Sequence, residues 1–153
     1  MKESQFNTIV CKSLDWGYKI SDYGNSLGFQ RMRLPFDGFG IYKDYSVYFE
    51  SKYLQEPKYF SFSRLEDHQL ASLIACGKAR HSLSLFLVGI TISPRDKRCY
   101  FFRDLEYLRQ RKKLEQNIIK KEWLTRKNWI PIKKGILNIQ SIIDFPQEQE
   151  NIF

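Results

Sequence analysis

The chain has 153 residues, of which 42% are hydrophobic and 27% are charged, and it carries a formal net charge of +8. This length and composition predict one globular domain, residues 1–153, and exclude an intrinsically disordered chain. The positive charge favours a polyanionic partner, of which nucleic acid is the commonest.

Three further features exclude other classes of protein. Cys11, Cys76 and Cys99 form no CxxC or Cys/His pattern, so neither a disulfide framework nor a zinc site is predicted. Residues 1–14 are too polar for a signal peptide, and no apolar run approaches the roughly 20 residues that span a membrane. No GxxxxGK[ST] motif is present, so no nucleotide cofactor is expected. We therefore expect a cytoplasmic protein without a membrane segment.

Hydrophobic spacing and turn residues predict the elements of the first third of the chain. Apolar residues at i, i+3 and i+4 indicate a helix, and aromatic and β-branched runs that flank polar turns indicate strands. These elements are a helix over residues 3–14, a short strand from Tyr18, a loop or irregular hairpin arm over residues 21–34, and strands over residues 36–42 and 45–53 joined by a turn at Lys43-Asp44.

The same patterns predict the rest of the chain. They give an alternating strand over residues 59–63, a helix over 66–79, an apolar mid-sheet strand over 83–92, a strand over 99–102, a basic helix over 104–121, and closing segments at 130–132 and 136–145. The order αβββαβ predicts an α/β sheet with helices on its faces. We expect a core over about residues 3–102, a basic helical extension over 103–145, and a tail, 146–153, with little to pack.

The strand pair at residues 36–53 carries the residues that suggest chemistry. Side chains alternate along a strand, so Glu50 and Lys52 point the same way and Ser51 points the opposite way. Asp37 precedes the Lys43-Asp44 turn by as many residues as Glu50 follows it, so a symmetric hairpin sets the two carboxylates nearly opposite each other. The alternative interpretation is a Glu–Lys pair on the surface of a hairpin, because ExK alone is common by chance.

Two carboxylates beside one ammonium suit phosphodiester hydrolysis. Asp37 and Glu50, with the backbone carbonyl of Ser51, offer the oxygen ligands that Mg²⁺ prefers, and Mn²⁺ is the expected substitute. A metal held there lowers the pKa of a bound water. Lys52 then positions that water or stabilises charge that develops on the phosphate. The sequence thus predicts catalytic roles for Asp37, Glu50 and Lys52.

The text Pro35-Phe36-Asp37 followed by Glu50-Ser51-Lys52 resembles the motif of the PD-(D/E)xK nucleases. Within that superfamily, FDGFGIYKDYSVYFESKY and YFSFSRLEDHQLASL are most similar to RecU-type Holliday-junction resolvases, over about residues 35–92. The resemblance implies a restriction-endonuclease-like core with a central mixed sheet flanked by helices. It also implies a homodimeric, Mg²⁺-dependent endonuclease that makes paired symmetric nicks in four-way junctions during recombination and repair.

The chain departs from the family in two places. The opening helix of the family carries a glutamate where this chain has Asn7, and Glu3, one turn earlier on the same helix face, is the candidate replacement. The family's long stalk between the first two strands corresponds to the shorter segment 21–34. The resemblance also suggests a catalytic role for Gln69, against the alternative of a helix start capped by Asp67 with His68 exposed and Gln69 structural.

Basic side chains near these residues are candidate phosphate ligands. They are Arg31, Arg33, Lys43, Lys58 and Arg64, with Arg109, Arg111, Lys112, Lys113, Lys120 and Lys121 further away. Nothing resembles a sequence-reading helix-turn-helix, so we expect recognition of DNA structure with a strong salt dependence. Two other functions remain open: another PD-(D/E)xK endonuclease or nickase of a phage or mobile element, and a non-catalytic DNA-binding protein on a nuclease scaffold.

Overall fold

A computed structural model describes residues 1–20 and 34–151 as one mixed six-stranded sheet flanked by helices. The strands are β1 Trp16–Lys19, β2 Gly38–Tyr42, β3 Tyr45–Leu54, β4 Ser82–Ser93, β5 Asp96–Phe102 and β6 Trp129–Pro131. The helices are α1 Glu3–Ser13, α2 Asp67–Gly77, α3 Leu105–Lys113, α4 Lys120–Thr125, α5 Ile139–Asp144 and α6 Gln147–Glu150. The predicted α/β class is confirmed, and the αβββαβ order holds with β1 as the first of the three strands, in place of the strand predicted at residues 59–63.

The β2–β3 hairpin has the register that the sequence predicts. Tyr42 pairs with Tyr45 across the turn, and Gly38 pairs with Phe49 at the far end of the ladder. Lys43 has a positive φ of 53°, which lets the two-residue turn follow the twist of the flanking strands. This register brings Asp37, the residue before Gly38, beside Glu50 at the end of the hairpin away from the turn.

The centre of the sheet is the parallel pair of β3 and β4. β4 is buried over most of its length because helices and loops cover both of its faces, which explains its nearly continuous apolar sequence. The strands follow one another in chain order across the sheet, from β1 at one edge to β6 at the other. The apolar run at residues 83–92 is therefore a mid-sheet strand, as predicted.

Each face of the sheet packs against one of the two hydrophobic core clusters. On one face, α1 buries Phe6, Val10 and Leu14 against side chains that include Phe49. On the other face, α2 buries Leu70 and Leu73 in a second cluster. The face covered by α2 also holds Glu50, because Gln69 of this helix donates a hydrogen bond to that carboxylate. The two helices therefore approach β3 from opposite sides.

The predicted strand at residues 59–63 is wrong. The segment makes only one isolated bridge, between Phe60 and Ile118, and then turns through a short 3-10 helix at Phe62–Arg64. Its aromatic and polar residues alternate because Phe60 and Phe62 point into the core while Ser61 caps the turn with its hydroxyl. The alternation thus arises from a core-facing loop.

The single basic helix predicted over residues 104–121 is also wrong. It is two helices, α3 and α4, interrupted at Glu115, which has a positive φ of 54°. Between the helices, Asn117 accepts a hydrogen bond from the backbone of Phe62 and so ties the interruption to the core. Arg111, a distant phosphate candidate, is buried and ion-paired with Glu122, so it cannot reach DNA.

The tail does pack where it was expected to fray. Residues Gln147–Glu150 form a helical turn, and Glu150 is buried in an ion pair with Arg103. Glu150 also accepts hydrogen bonds from the backbone of Arg103 and Asp104. A charged residue near a chain end has no sequence signature for burial, because its partner lies far away along the chain. Within residues 1–20 and 34–151, no helix is long and apolar enough to span a membrane.

Candidate active site

Asp37 lies where β2 begins and is held by the neighbouring strand. Its Oδ2 atom accepts a hydrogen bond from the backbone N–H of Ser51 at 2.9 Å, and the Ser51 hydroxyl lies 3.2 Å from the same oxygen. The backbone N–H of Asp37 donates to the carbonyl of Phe49 at 3.0 Å. The aspartate is therefore fixed to β3 through both its backbone and its side chain, next to Glu50.

Glu50 is a buried carboxylate with two donors on one oxygen and none on the other. Its Oε1 atom accepts from Lys52 Nζ and from Gln69 Nε2, each at 3.1 Å. Its Oε2 atom is buried and has no hydrogen-bond partner within the described residues. Burial, reinforced by the charge of Asp37 and opposed by Lys52, raises the pKa of Glu50 to about 7.

Lys52 lies between two acidic side chains. Its ammonium is 3.1 Å from Glu50 Oε1 and 3.6 Å from Glu3 Oε1. Burial alone would lower the pKa of Lys52, but the neighbouring charges, Glu50 first, raise it above its usual value. Lys52 is thus held as a cation. Arg64 follows on the solvent side, 3.9 Å from Glu3 Oε2.

The structure brings Glu3 to the predicted site, although not to the position of the missing glutamate. That position belongs to Asn7, which is buried and hydrogen-bonded to the Ser51 hydroxyl. The Ser51 hydroxyl donates to Asn7 Oδ1, and a hydroxyl has one proton, so Asp37 Oδ2 is held chiefly by the backbone N–H of Ser51. Ser51 thus contacts both Asn7 on α1 and Asp37 at the start of β2. Sequence reasoning missed this contact of Asn7 because it considered only the backbone carbonyl of Ser51.

Gln69 contacts both the start of α2 and the carboxylate of Glu50. Its side-chain oxygen accepts from the backbone N–H of Glu66 at 3.2 Å, which supports the start of α2, while its nitrogen donates to Glu50. The residue that caps α2 is Glu66, so the expectation of an Asp67 cap is wrong. His68 is not exposed as that alternative required, because its ring contacts Glu66 and the carbonyl of Leu34.

The donor set at this site fits a hard divalent cation. An unpartnered buried carboxylate oxygen costs free energy unless a cation or a proton meets it, and Glu50 Oε2 is such an atom. Asp37 supplies a second carboxylate, and both are the oxygen donors that Mg²⁺ takes. Within the described residues, no three His, Cys, Asp or Glu side chains are grouped to hold a metal. A bound ion would therefore need a backbone oxygen, as predicted for Ser51, together with water or phosphate.

The candidate phosphate ligands do not all lie near the carboxylates. Arg64 is the nearest described one, through its contact with Glu3, and Lys58 is exposed further along the same segment. Lys43 lies at the turn of the hairpin, about 20 Å of strand away from Asp37, and its ammonium binds Gln140. The prediction that Lys43 lies near the site is therefore wrong. Arg31 and Arg33 lie outside the described residues.

The sequence was also compared with known protein families. The family model RecU, recombination protein U, matches residues 21–146 of this chain. The matched range includes Asp37, Glu50, Lys52 and Gln69, and it begins after α1, so Glu3 and Asn7 lie outside it. The comparison with curated proteins gives no match.

Proposed function

The chain belongs to the RecU family of Holliday-junction resolvases, and from this premise we propose that it is a divalent-metal-dependent endonuclease that makes paired symmetric nicks in four-way DNA junctions. The observation that carries the proposal is the convergence of Lys52 and Gln69 on one oxygen of Glu50, with Asp37 beside it and the other Glu50 oxygen buried and without a partner among the described residues. Most buried carboxylate oxygens in folded proteins have a hydrogen-bond partner, so this one is a place for a cation.

Asp37 and Glu50, with the carbonyl of Ser51, are the residues that would hold Mg²⁺ or Mn²⁺. Such an ion, when bound, lowers the pKa of water and polarises a phosphate oxygen. The backbone N–H of Ser51 keeps one oxygen of Asp37 occupied and so fixes the direction in which the other oxygen points. The proposed ligand set thus needs no carboxylate at position 7.

Lys52 and Gln69 act on the same oxygen of Glu50 from different directions. Lys52, held as a cation by Glu50 and Glu3, is placed to stabilise negative charge that develops on the phosphate. Gln69 orients Glu50 and offers a hydrogen-bond donor at the start of α2. Glu3 holds Lys52 and Arg64 in place, which is a positioning role.

Paired nicks need two active sites, and one chain supplies one. We therefore include a homodimer in the proposal, as the family resemblance implies. Light scattering at the concentrations used for cleavage would test it, with a mass of twice 18.3 kDa as the expected result. A monomer at concentrations where paired nicks are made would contradict it.

The substrate is tested by cleavage of a labelled synthetic four-way junction beside a linear duplex of the same sequence. We expect paired nicks at symmetric positions on the junction alone, in Mg²⁺ and not in EDTA. Equal cutting of both substrates would instead favour a general nuclease or nickase on the same scaffold.

A second candidate function is a DNA-binding module that does not cut. The observation in its favour is Asn7, because the residue at the family's glutamate position carries no charge. Tight junction binding without cleavage in Mg²⁺ or Mn²⁺ would support this alternative, and metal-dependent nicks would exclude it.

A further inference from the structure

Four apolar side chains lie together at the β1 edge of the sheet, where no helix of the described residues packs on them. Trp16, Tyr18 and Ile41 are each about half exposed, and Phe39 lies among them. The rings of Trp16 and Tyr18 are nearly parallel, with 16° between their planes, and both contact the ring of Phe39. We name these four residues the aromatic ladder.

The aromatic ladder lies on the same face of the sheet as the catalytic carboxylates. Trp16 pairs with Ile41, and Tyr18 pairs with Phe39, which in turn pairs with Tyr48 of β3. Because side chains alternate along β3, Tyr48 points to the same side as Glu50. Phe39 and Tyr48 also pack against the core cluster under α2, so the ladder lies on the face of the sheet that α2 covers.

Among the described residues, the helix that covers this face does not extend over the ladder. α2 packs on β3 and β4, and the ladder lies one to two strands further out, on β1 and β2. Tyr18 lies two strands away from Glu50 across the sheet and two residues away along the strand direction. The backbones of the two residues are therefore about 12 Å apart. DNA held with a phosphate at the carboxylates would therefore bring bases a few nucleotides away within reach of the rings.

The size of the ladder favours a base over a second copy of the chain. Half of two large aromatic side chains and one isoleucine is roughly 300 Å² of exposed apolar surface. A stable protein interface buries about 800 Å² on each partner. A patch of a few hundred square ångströms that is rich in Trp and Tyr instead suits one or two stacked bases.

We propose that the aromatic ladder stacks on a base or base pair exposed at the branch point of the junction, and so contributes to the selection of branched over linear DNA. This proposal rests on the proposed function. In the open form of a four-way junction, in which the arms do not stack end to end, the base pairs at the branch point expose faces that a continuous duplex exposes only at its ends. An aromatic surface beside the cutting site therefore recognises a feature that an intact duplex lacks.

The test measures binding to a four-way junction with 2-aminopurine at the branch point, in EDTA, beside a linear duplex. Trp16→Ala with Tyr18→Ala is compared with Trp16→Phe with Tyr18→Phe, which keeps the rings. Tyr59→Ala is the matched control, because Tyr59 is equally exposed (59%) on the segment before Phe60, away from the ladder. Thermal melts and light scattering establish that each variant is folded and report its mass.

We expect the alanine pair to weaken junction binding at least about tenfold and to abolish the 2-aminopurine response, with duplex binding unchanged. The phenylalanine pair and Tyr59→Ala should bind as the wild type does. The proposal would be overturned if junction binding were unchanged, or if the alanine pair weakened binding to junction and duplex equally. It would also be overturned if the alanine pair changed the protein from a dimer to a monomer, because the ladder would then contact a second copy of the chain. If the wild type cuts junctions and the alanine pair binds them normally, this proposal is refuted and the proposed function is not. A wild type that neither binds nor cuts junctions would refute the proposed function as well.

Discussion

Glu50 shows how a single residue can be costly for folding and useful for chemistry. It is buried, one of its oxygens has no partner within the described residues, and its pKa rises to about 7. Isolated buried carboxylates are destabilising, so a fold retains one where a ligand compensates the charge. The unpartnered oxygen therefore supports the proposal of a bound cation independently of the family resemblance.

The first prediction concerns Glu50 and stability. Because its pKa is raised by folding, the folded state binds the proton more tightly than the unfolded state does, and stability falls as pH rises from about 4.5 to 7. The shift corresponds to roughly 3 kcal/mol. In EDTA at pH 8, Glu50→Gln should therefore be more stable than the wild type, and the difference should vanish near pH 4. Urea unfolding at both pH values measures it, and an amide variant that is less stable at pH 8 would contradict the account.

The second prediction concerns Lys52. Replacement of Lys52 by Ala removes the cation beside Glu50 and should lower the cleavage rate on junctions by roughly 10²–10³-fold. Metal affinity, measured by calorimetry with Mn²⁺, should be largely retained, because the carboxylates remain. Lys78→Ala is the control, since Lys78 is exposed at the opposite end of α2 from Gln69. A Lys52→Ala protein with a normal rate would remove Lys52 from the mechanism.

At the scale of elements, the sequence is informative where a pattern is local. The β2–β3 hairpin, α2 and β4 could be predicted because turn residues, helical spacing and an apolar run lie within each segment. The hairpin register alone sufficed to bring Asp37 beside Glu50. The segment around Phe60 and the break at Glu115 could not be predicted, since their conformations depend on contacts between residues 58–64 and 114–123.

Dependence on contacts between distant segments also explains which parts of the site could not be predicted from the sequence. The two-residue spacing of Glu50 and Lys52 is visible along one strand, whereas the contact of Asn7 with Ser51 joins residues 44 apart. Asn7 contacts Ser51 because of the way α1 packs on the sheet. Asn7 could be interpreted only as an absent carboxylate until that packing was known.

The third prediction concerns the two buried ion pairs of Glu122, of which the pair with Arg111 joins α3 to α4. Glu122 accepts from Arg111 at 2.7 Å and from Arg126 at 2.9 Å, and all three side chains are buried. Glu122→Gln removes the carboxylate that both buried guanidinium groups contact and should cost about 3–5 kcal/mol in urea unfolding.

The control for this prediction is Glu106→Gln. Glu106 forms an exposed ion pair with Arg109 on the surface of α3, and such pairs contribute at most about 1 kcal/mol. Equal effects of the two substitutions would contradict the view that the Glu122 pairs, rather than charge in general, hold α3 and α4 together.

At the scale of the whole molecule, the net charge of +8 determines how DNA is approached. Lys and Arg side chains that neutralise phosphates release counterions, so affinity falls linearly with salt on logarithmic axes. The charge attracts any nucleic acid and carries no information about branching. Any selection of the junction must therefore come from shape and from contacts such as those proposed for the aromatic ladder.

The fourth prediction follows from that charge. Arg64 lies beside Glu3 at the solvent side of the site, so Arg64→Ala should weaken binding to junction and duplex alike and reduce the salt slope by about 1. Arg80→Ala is the control, because Arg80 is exposed just before β4, at the other end of α2. An unchanged slope for Arg64→Ala would exclude a phosphate contact by this residue.

The most direct measurement for the central claim is nucleotide-resolution cleavage of one labelled four-way junction by the wild type, Asp37→Asn and Glu50→Gln, with Mg²⁺ and with EDTA. We expect paired nicks from the wild type in Mg²⁺ only, and no nicks from either variant even though each still binds the junction. Cleavage by Glu50→Gln at the wild-type rate, or wild-type cleavage in EDTA, would contradict a metal-dependent centre built on Asp37 and Glu50.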